Sequence, residues 1–348
     1  MQTRQTHLTA ADGTLVAVHS WLPEGVAPLR LDEPGASPTV GLEAVPARAE
    51  LEASPTTGSG AAPEDVASPR AVIQVVHGMA EHSARYARFA EQATARGYAV
   101  VADDHRGHGL TAQNGSLGHI ADRDGWDVVL DDLSALLDAV RSSWPGVPVV
   151  LMGHSWGSFL VRLMATRRGQ DLAGLIVMGT GGDPGLMGGA GAALASVLGG
   201  LRGRSRPSKA LNRLVFASYN RGLEPVRTDF DWLSRDPAEV DAYIEDPWCG
   251  FLCSSSFFHD LARGTAGAAR SEVFEATPAD LPVLVMSGGA DPVGAHGRGP
   301  RQVADAYRRA GVRDVALRLF PDARHELLNE TNRSEVTVQL LDWVEARL

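Results

Sequence analysis

Short apolar runs alternate with longer segments of helical period along most of this chain. The runs occupy residues 71–77, 99–102, 147–152, 172–178, 283–286 and 315–320. Between and after them, residues 86–96, 125–144, 158–168, 298–310 and 335–347 repeat apolar positions with helical spacing. Strand and helix taking turns predicts an α/β fold, a mostly parallel central sheet with helices on both faces. Near the N-terminus, residues 5–9 and 14–21 alternate apolar and polar positions around Asp12-Gly13, which predicts a hairpin.

Two stretches break the rhythm. Residues 26–70 are dense in Pro, Ala, Ser, Gly and Glu and contain no aromatic residue. Such a composition buries too little apolar area to offset its ordering entropy, so a disordered insertion is expected there. Residues 180–277 lose the strand-helix alternation, and a helical cap inserted after the sixth strand is expected. The layout is then a hairpin (1–25), the insertion (26–70), a first core part (71–179), the cap (180–277) and a second core part (278–348). Within the cap, residues 184–201 carry no charge. Their length touches the lower limit for a membrane span, about 17 residues, but the many glycines make a poor one. Two readings stand: a flexible segment that lies on lipid through Leu194 and Leu198, or a helix packed on the core. Phe251, Phe257, Phe258, Trp232 and Trp248 read as cap core rather than a substrate cage.

Charge narrows the partners. A net charge of -10 over 348 residues argues against nucleic acid and against electrostatic adhesion to anionic lipid. Membrane contact, if transient contact occurs through the cap, is then apolar. Residues 1–21 contain no apolar h-region of a secretory signal, so a cytoplasmic protein, at most peripheral at a membrane, is expected. Cys249 and Cys253 lack the partners of a zinc site and are expected to be reduced thiols. No Walker lysine or dinucleotide fingerprint follows a strand, so no cofactor and no metal are implied.

The chemistry concentrates at 147–158, VPVVLMGHSWGS. A strand, then Gly-x-Ser-x-Gly, then a helix is the pattern of a nucleophile elbow. Ser155 sits in a strained strand-to-helix turn, and Cβ atoms at Gly153 and Gly157 would clash with the neighbouring backbone. Asp291 follows the run 281–289 and His325 follows the run 315–320, so both stand past the ends of predicted strands, in the order Ser, acid, His. His325 would take the serine proton and return it to the leaving group, while Asp291 holds its tautomer. The oxyanion needs donors, and the N–H groups of Trp156, after the nucleophile, and Met79, after the strand 71–77, are the candidates. Glu81-His82 orients that loop, contacts a glycerol-like leaving group, or is simply a helix-start pair packed on the strand ends. His105 and His108 have metal-like spacing, but a structured turn with Arg106 in a salt bridge is the favoured reading.

Five segments carry a family resemblance: VVHGMAEHSARY (75–86), DHRGHG (104–109), GHSWGS (153–158), SGGADPVG (287–294) and FPDARHELLNE (320–330). Together they resemble the α/β-hydrolase family of monoacylglycerol lipases and bacterial lysophospholipases, often labelled with a serine aminopeptidase domain name. DPWCGF (246–251) resembles the cap of the bacterial lysophospholipase-like branch. The resemblance implies the same triad, Ser155, Asp291 and His325, and the same oxyanion donors, Met79 and Trp156. Tryptophan stands at 156 where methionine or glutamine is usual, which implies a reshaped acyl pocket.

The expected function is therefore a serine carboxyl-ester hydrolase that cleaves mono-acyl lipids through an acyl-enzyme on Ser155. An aminopeptidase for small peptides is the alternative within enzymes. It would need cap carboxylates such as Glu224, Glu239 or Glu245 to hold an ammonium group. A non-catalytic ligand binder on the same scaffold is the remaining class.

Overall fold

The computed structural model describes residues 1–31, 67–112, 116–223 and 225–348, without the side chains of residues 186–188 and 202. Its sheet has eight strands: β1 (Gln2–Thr9), β2 (Leu15–Leu22), β3 (Ala71–Val76), β4 (Tyr98–Asp103), β5 (Val149–His154), β6 (Gly174–Met178), β7 (Val283–Gly288) and β8 (Val315–Phe320). The spatial order is β1-β2-β4-β3-β5-β6-β7-β8. β1 and β2 form the expected antiparallel hairpin, with Thr9 opposite Leu15. β2 also pairs antiparallel with β4, and every later pairing is parallel. The hairpin turns at Gly13, whose φ of 84° suits glycine.

The two faces of the sheet bury separate sets of side chains. Val72 and Val76 of β3 join one core with α2 (Gly125–Ser143), α3 (Trp156–Arg168) and α9 (Arg298–Arg309). Ala71, Ile73 and Val75 join the other with α1 (Ala87–Ala95) and α10 (Arg333–Glu345). Alternate residues point to opposite faces, so the central strands are apolar on both, which explains why their runs are nearly continuous. The polar exception within β3, the buried Gln74, donates to Leu133 O of α2 at 3.1 Å.

Between β6 and β7 lie α4 (Leu186–Arg202), α5 (Lys209–Phe216), α6 (Pro237–Glu245), α7 (Ser255–Ala268) and α8 (Ser271–Glu275). Local chemistry starts three of these helices. Ser208 and Ser254 cap α5 and α7 by accepting from the N–H of Leu211 and Phe257. Asp236 caps α6, with Pro237 in its first turn. Such a cap contributes about 1 kcal/mol.

The expected insertion begins too early. Val26 and Leu29 are buried in the core, and Val26 pairs with Ala67. The Arg30 N–H donates to Ser143 Oγ at 2.7 Å, and Arg70 N–H donates to Gly97 O at 2.9 Å. Residues 26–31 and 67–70 are thus built into the fold, because two apolar side chains and the hydroxyl of α2 reward their ordering. The rest of the expected disordered segment, 32–66, lies outside the described residues.

Candidate active site

Ser155 joins β5 to α3 with φ 52° and ψ -118°, a conformation that costs a non-glycine residue about 1–3 kcal/mol. Packing holds it there. Its N–H donates to Met178 O at 2.9 Å. A Cβ at Gly153 would lie 2.3 Å from Gly157 O, and one at Gly157 would lie 2.1 Å from Val76 O. Both positions therefore require glycine.

Asp291 and His325 meet because the loops after β7 and β8 interlock. A Cβ at Gly288 would strike the carbonyls of Ala323 and Arg324 at 2.1 and 2.2 Å. Asp291 is fully buried, and its Oδ2 lies 3.0 Å from His325 Nδ1. The Val293 N–H and the Ser287 hydroxyl donate to the same carboxylate, at 2.9 and 3.3 Å. The imidazole lies against Gly179, where an added Cβ would be 3.2 Å from His325 Cε1. Gly179 directly follows Met178, the acceptor of the Ser155 N–H. The Trp232 ring packs on His325 at 5.0 Å between centroids. The Ser155 hydroxyl makes no hydrogen bond among the described residues. In ligand-free hydrolases that bond commonly tightens only with substrate bound.

The loop after β3 lies against the nucleophile: a Cβ at Gly78 would be 3.1 Å from Ser155 Cβ. Two anchors fix its peptides from behind. The Gly78 N–H donates to Glu81 Oε1 at 2.6 Å. The buried His77 accepts the His105 N–H on Nε2 at 3.0 Å, which leaves its Nδ1–H to donate to Gly78 O at 2.7 Å. A trans peptide points its N–H opposite to its C=O. Holding the Gly78 carbonyl therefore turns the Met79 N–H the other way. Among the described residues, neither the Met79 N–H nor the Trp156 N–H finds an acceptor.

A buried charged layer lies behind this loop. Arg85 grips Glu326 through two hydrogen bonds of 2.6 and 2.7 Å and Glu81 through one of 3.0 Å. His154, just before the nucleophile, faces Glu81 at 3.0 Å. Burial pushes the Glu81 carboxyl up, but the His154 hydrogen bond and the charges of His154 and Arg85 outweigh it and hold the group well below its usual range. Burial likewise works against the His154 imidazolium, and the bond to Glu81 reverses the balance and raises it. Glu81 is thus committed to Gly78, Arg85 and His154. The adjoining cavity of about 10 Å³ has room for a water and none for glycerol. Of the readings of Glu81, the geometry favours orienting the loop over touching a leaving group.

Other expected residues fall as follows. The Trp156 ring is buried between His108 at 5.4 Å and Phe257 at 5.0 Å, so its bulk fills core rather than reshaping an open pocket. Arg106 bridges Asp12 and Asp132, as the favoured reading of that turn expects, and His105 pairs with Asp103 at 2.7 Å. Phe257, Phe258 and Trp232 are buried, and Trp248 and Phe251 half-buried. Leu194 and Leu198 separate: Leu194 is 42% exposed, with Val197 and Leu201 beside it, whereas Leu198 packs on the core. Both cysteines are free and buried. Sequence reasoning missed His77, Arg85, His154 and Glu326 as parts of the site. The i, i+4 spacing of Glu81 and Arg85 was the one local signal for them.

A family model described as serine aminopeptidase, S33 matches residues 67–332, more than half of the chain. The chain belongs to this family. A monoacylglycerol lipase of Mycolicibacterium smegmatis is 29% identical over 80% of this chain and 90% of its own length. The monoglyceride lipase of Mus musculus is 30% identical over 81% of this chain and 84% of its own. A solved carboxyl esterase from Bacillus coagulans superposes with a TM-score of 0.81 at 24% identity, covering 100% of this chain and 99% of that one. The fold is that of the α/β-hydrolases, and the protein is a hydrolase of the monoacylglycerol lipase and lysophospholipase-like group. Among the described residues no helix is long and apolar enough to cross a membrane.

Proposed function

We propose that this hydrolase cleaves the ester bond of a mono-acyl lipid, a monoacylglycerol or a lysophospholipid, through an acyl-enzyme on Ser155. The observation that carries the reading is the Asp291–His325 pair beside Gly179, next to the residue that anchors the strained Ser155, with the Met79 and Trp156 N–H groups free of acceptors among the described residues. His325 Nε2 takes the Ser155 proton as Oγ adds to the carbonyl carbon. The Met79 and Trp156 N–H groups donate to the oxyanion. The tetrahedral adduct collapses, the C–O bond breaks, and the imidazolium returns its proton to the departing alcohol. Water, deprotonated by the same imidazole, then adds to the acyl carbon and releases the fatty acid and free Ser155.

Supporting the lipid reading, α4 presents Leu194, Val197 and Leu201 to solvent on a helix without charge before its last residue. We read the helices between β6 and β7 as a cap, and α4 as the part that meets the lipid surface during tail transfer. The aminopeptidase alternative would need one of three cap carboxylates to anchor an ammonium group. Glu239 is taken by Arg88 at 2.6 and 2.9 Å, Glu245 is exposed at the end of α6, and Glu224 lies outside the described residues. The test is one panel: 1-oleoylglycerol, oleoyl-lysophosphatidylcholine and leucine p-nitroanilide. Preference for either lipid by at least tenfold in kcat/KM supports the proposal, and preference for the anilide overturns it.

A further inference from the structure

Ala80, next to the proposed oxyanion donor Met79, is buried in a left-handed conformation with φ 55°. An alanine stays in that region only where its surroundings hold it. Those surroundings come from the far side of the chain. The Tyr243 hydroxyl donates to Ala80 O at 2.8 Å, and the Gly250 N–H donates to the same oxygen at 3.0 Å. Two residues on, His82 Nε2 meets Asp246 Oδ2 at 2.8 Å. The turn that delivers these groups is itself stiff. Asp246 accepts the Trp248 N–H on its side chain and the Cys249 N–H on its carbonyl. Gly250, at φ 65°, lies so close to Phe230 and Tyr243 that a Cβ would be 3.3 Å from each ring. The Arg85 guanidinium rests 4.9 Å from the Tyr243 ring centre and ties it to the Glu81–Glu326 layer.

We infer that Tyr243 is a positioning residue for the oxyanion hole, with Gly250 and Asp246 completing a clamp on the 80–82 segment. Glu81 and His77 hold the peptides on the N-terminal side of Met79, and the clamp holds the Ala80–Glu81 peptide, one residue beyond it. The segment after α6 thereby takes part in setting the Met79 N–H, in addition to covering the site. This inference rests on the proposed acyl-enzyme mechanism.

A position acting through Met79 must weaken the transition state more than the ground state. Losing a whole oxyanion donor costs roughly 10²–10³ in kcat. A donor that is displaced but present should therefore cost less, on the order of ten- to a hundredfold. The experiment compares wild type, Tyr243→Phe, Asp246→Asn and Ser155→Ala on p-nitrophenyl butyrate, with thermal melting and with inhibition by butylboronic acid, which forms a tetrahedral adduct. Tyr243→Phe should lower kcat by that factor with KM nearly unchanged. Boronate affinity should fall in parallel, and Asp246→Asn should act in the same direction more weakly. Unchanged kcat and boronate affinity in folded Tyr243→Phe overturns the inference. If Tyr243→Phe does not fold, the same pair of readouts on Asp246→Asn decides it. Ser155→Ala separates the two levels: substantial hydrolysis by that variant defeats the mechanism itself, whereas an inactive Ser155→Ala beside a fully active Tyr243→Phe defeats only the clamp.

Discussion

His154 Nδ1 stands 3.0 Å from Glu81 Oε1, so the residue before the nucleophile is tied to the residue that holds the oxyanion loop. Both groups are buried, and each shifts the other toward its charged form. The nucleophile strand and the oxyanion loop consequently share one electrostatic support.

That support predicts a pH dependence. Glu81 is depressed, so its stabilisation is complete above the ordinary carboxylate range, about 4.3, and fades as pH falls through its lowered value. His154 is raised, so its contribution is complete below about 6.5 and fades as pH climbs through its raised value. Glu81→Gln leaves a buried cation without its partner and should cost about 3–5 kcal/mol between roughly pH 4.5 and 6.5. Denaturant melts across pH should show the gap between wild type and variant narrowing toward acid. A gap independent of pH would contradict the pairing.

Deletion of 32–66 with a short Gly/Ser bridge should leave the melting temperature and ester hydrolysis near wild type, since loop length changes stability slowly. Deletion of 27–68 should behave differently. It removes the buried Leu29 and the pairing of Val26 with Ala67, and should lower the melting temperature by roughly 5–10 °C. Equal melting temperatures for the two deletions would show that the buried ends add nothing.

Charges on α4 should separate lipid entry from chemistry. Leu194→Asp with Val197→Asp places charges at exposed positions and should depress hydrolysis of 1-oleoylglycerol at least about fivefold, because each methylene of the tail is worth about 0.8 kcal/mol when buried. Turnover of p-nitrophenyl butyrate should stay within about twofold, since its short tail gains little from lipid entry. Leu198→Asp is the contrasting variant: its side chain packs on the core, so it should destabilise the protein as a whole. Equal losses on both esters by the Leu194/Val197 variant would return α4 to a purely structural role.

Much of the sheet was legible because buried parallel strands read as continuous apolar runs. β3, β5 and β8 appear within a residue or two of the expected bounds. The elbow was legible for a local reason, since the steric demand on Gly153 and Gly157 is written within five positions. The supports of the oxyanion loop were not. Tyr243 and Ala80 are 163 residues apart in sequence, and nothing around either announces a hydrogen bond between them. Residues 26–31 were misread because composition averages over a segment, while Val26, Leu29 and Arg30 each find an individual partner in the fold.

The measurement closest to the central claim is rapid quenching of the enzyme with p-nitrophenyl oleate, followed by peptide mass spectrometry. An oleoyl group on the peptide containing Ser155 is predicted, absent from Ser155→Ala and depleted in Asp291→Asn. Ser155→Ala and His325→Ala should each retain only about 10⁻⁴ to 10⁻⁶ of turnover, and the double variant little less, because the residues act as a unit. Acylation at another residue, or more than a few per cent of wild-type turnover in Ser155→Ala, would contradict the account.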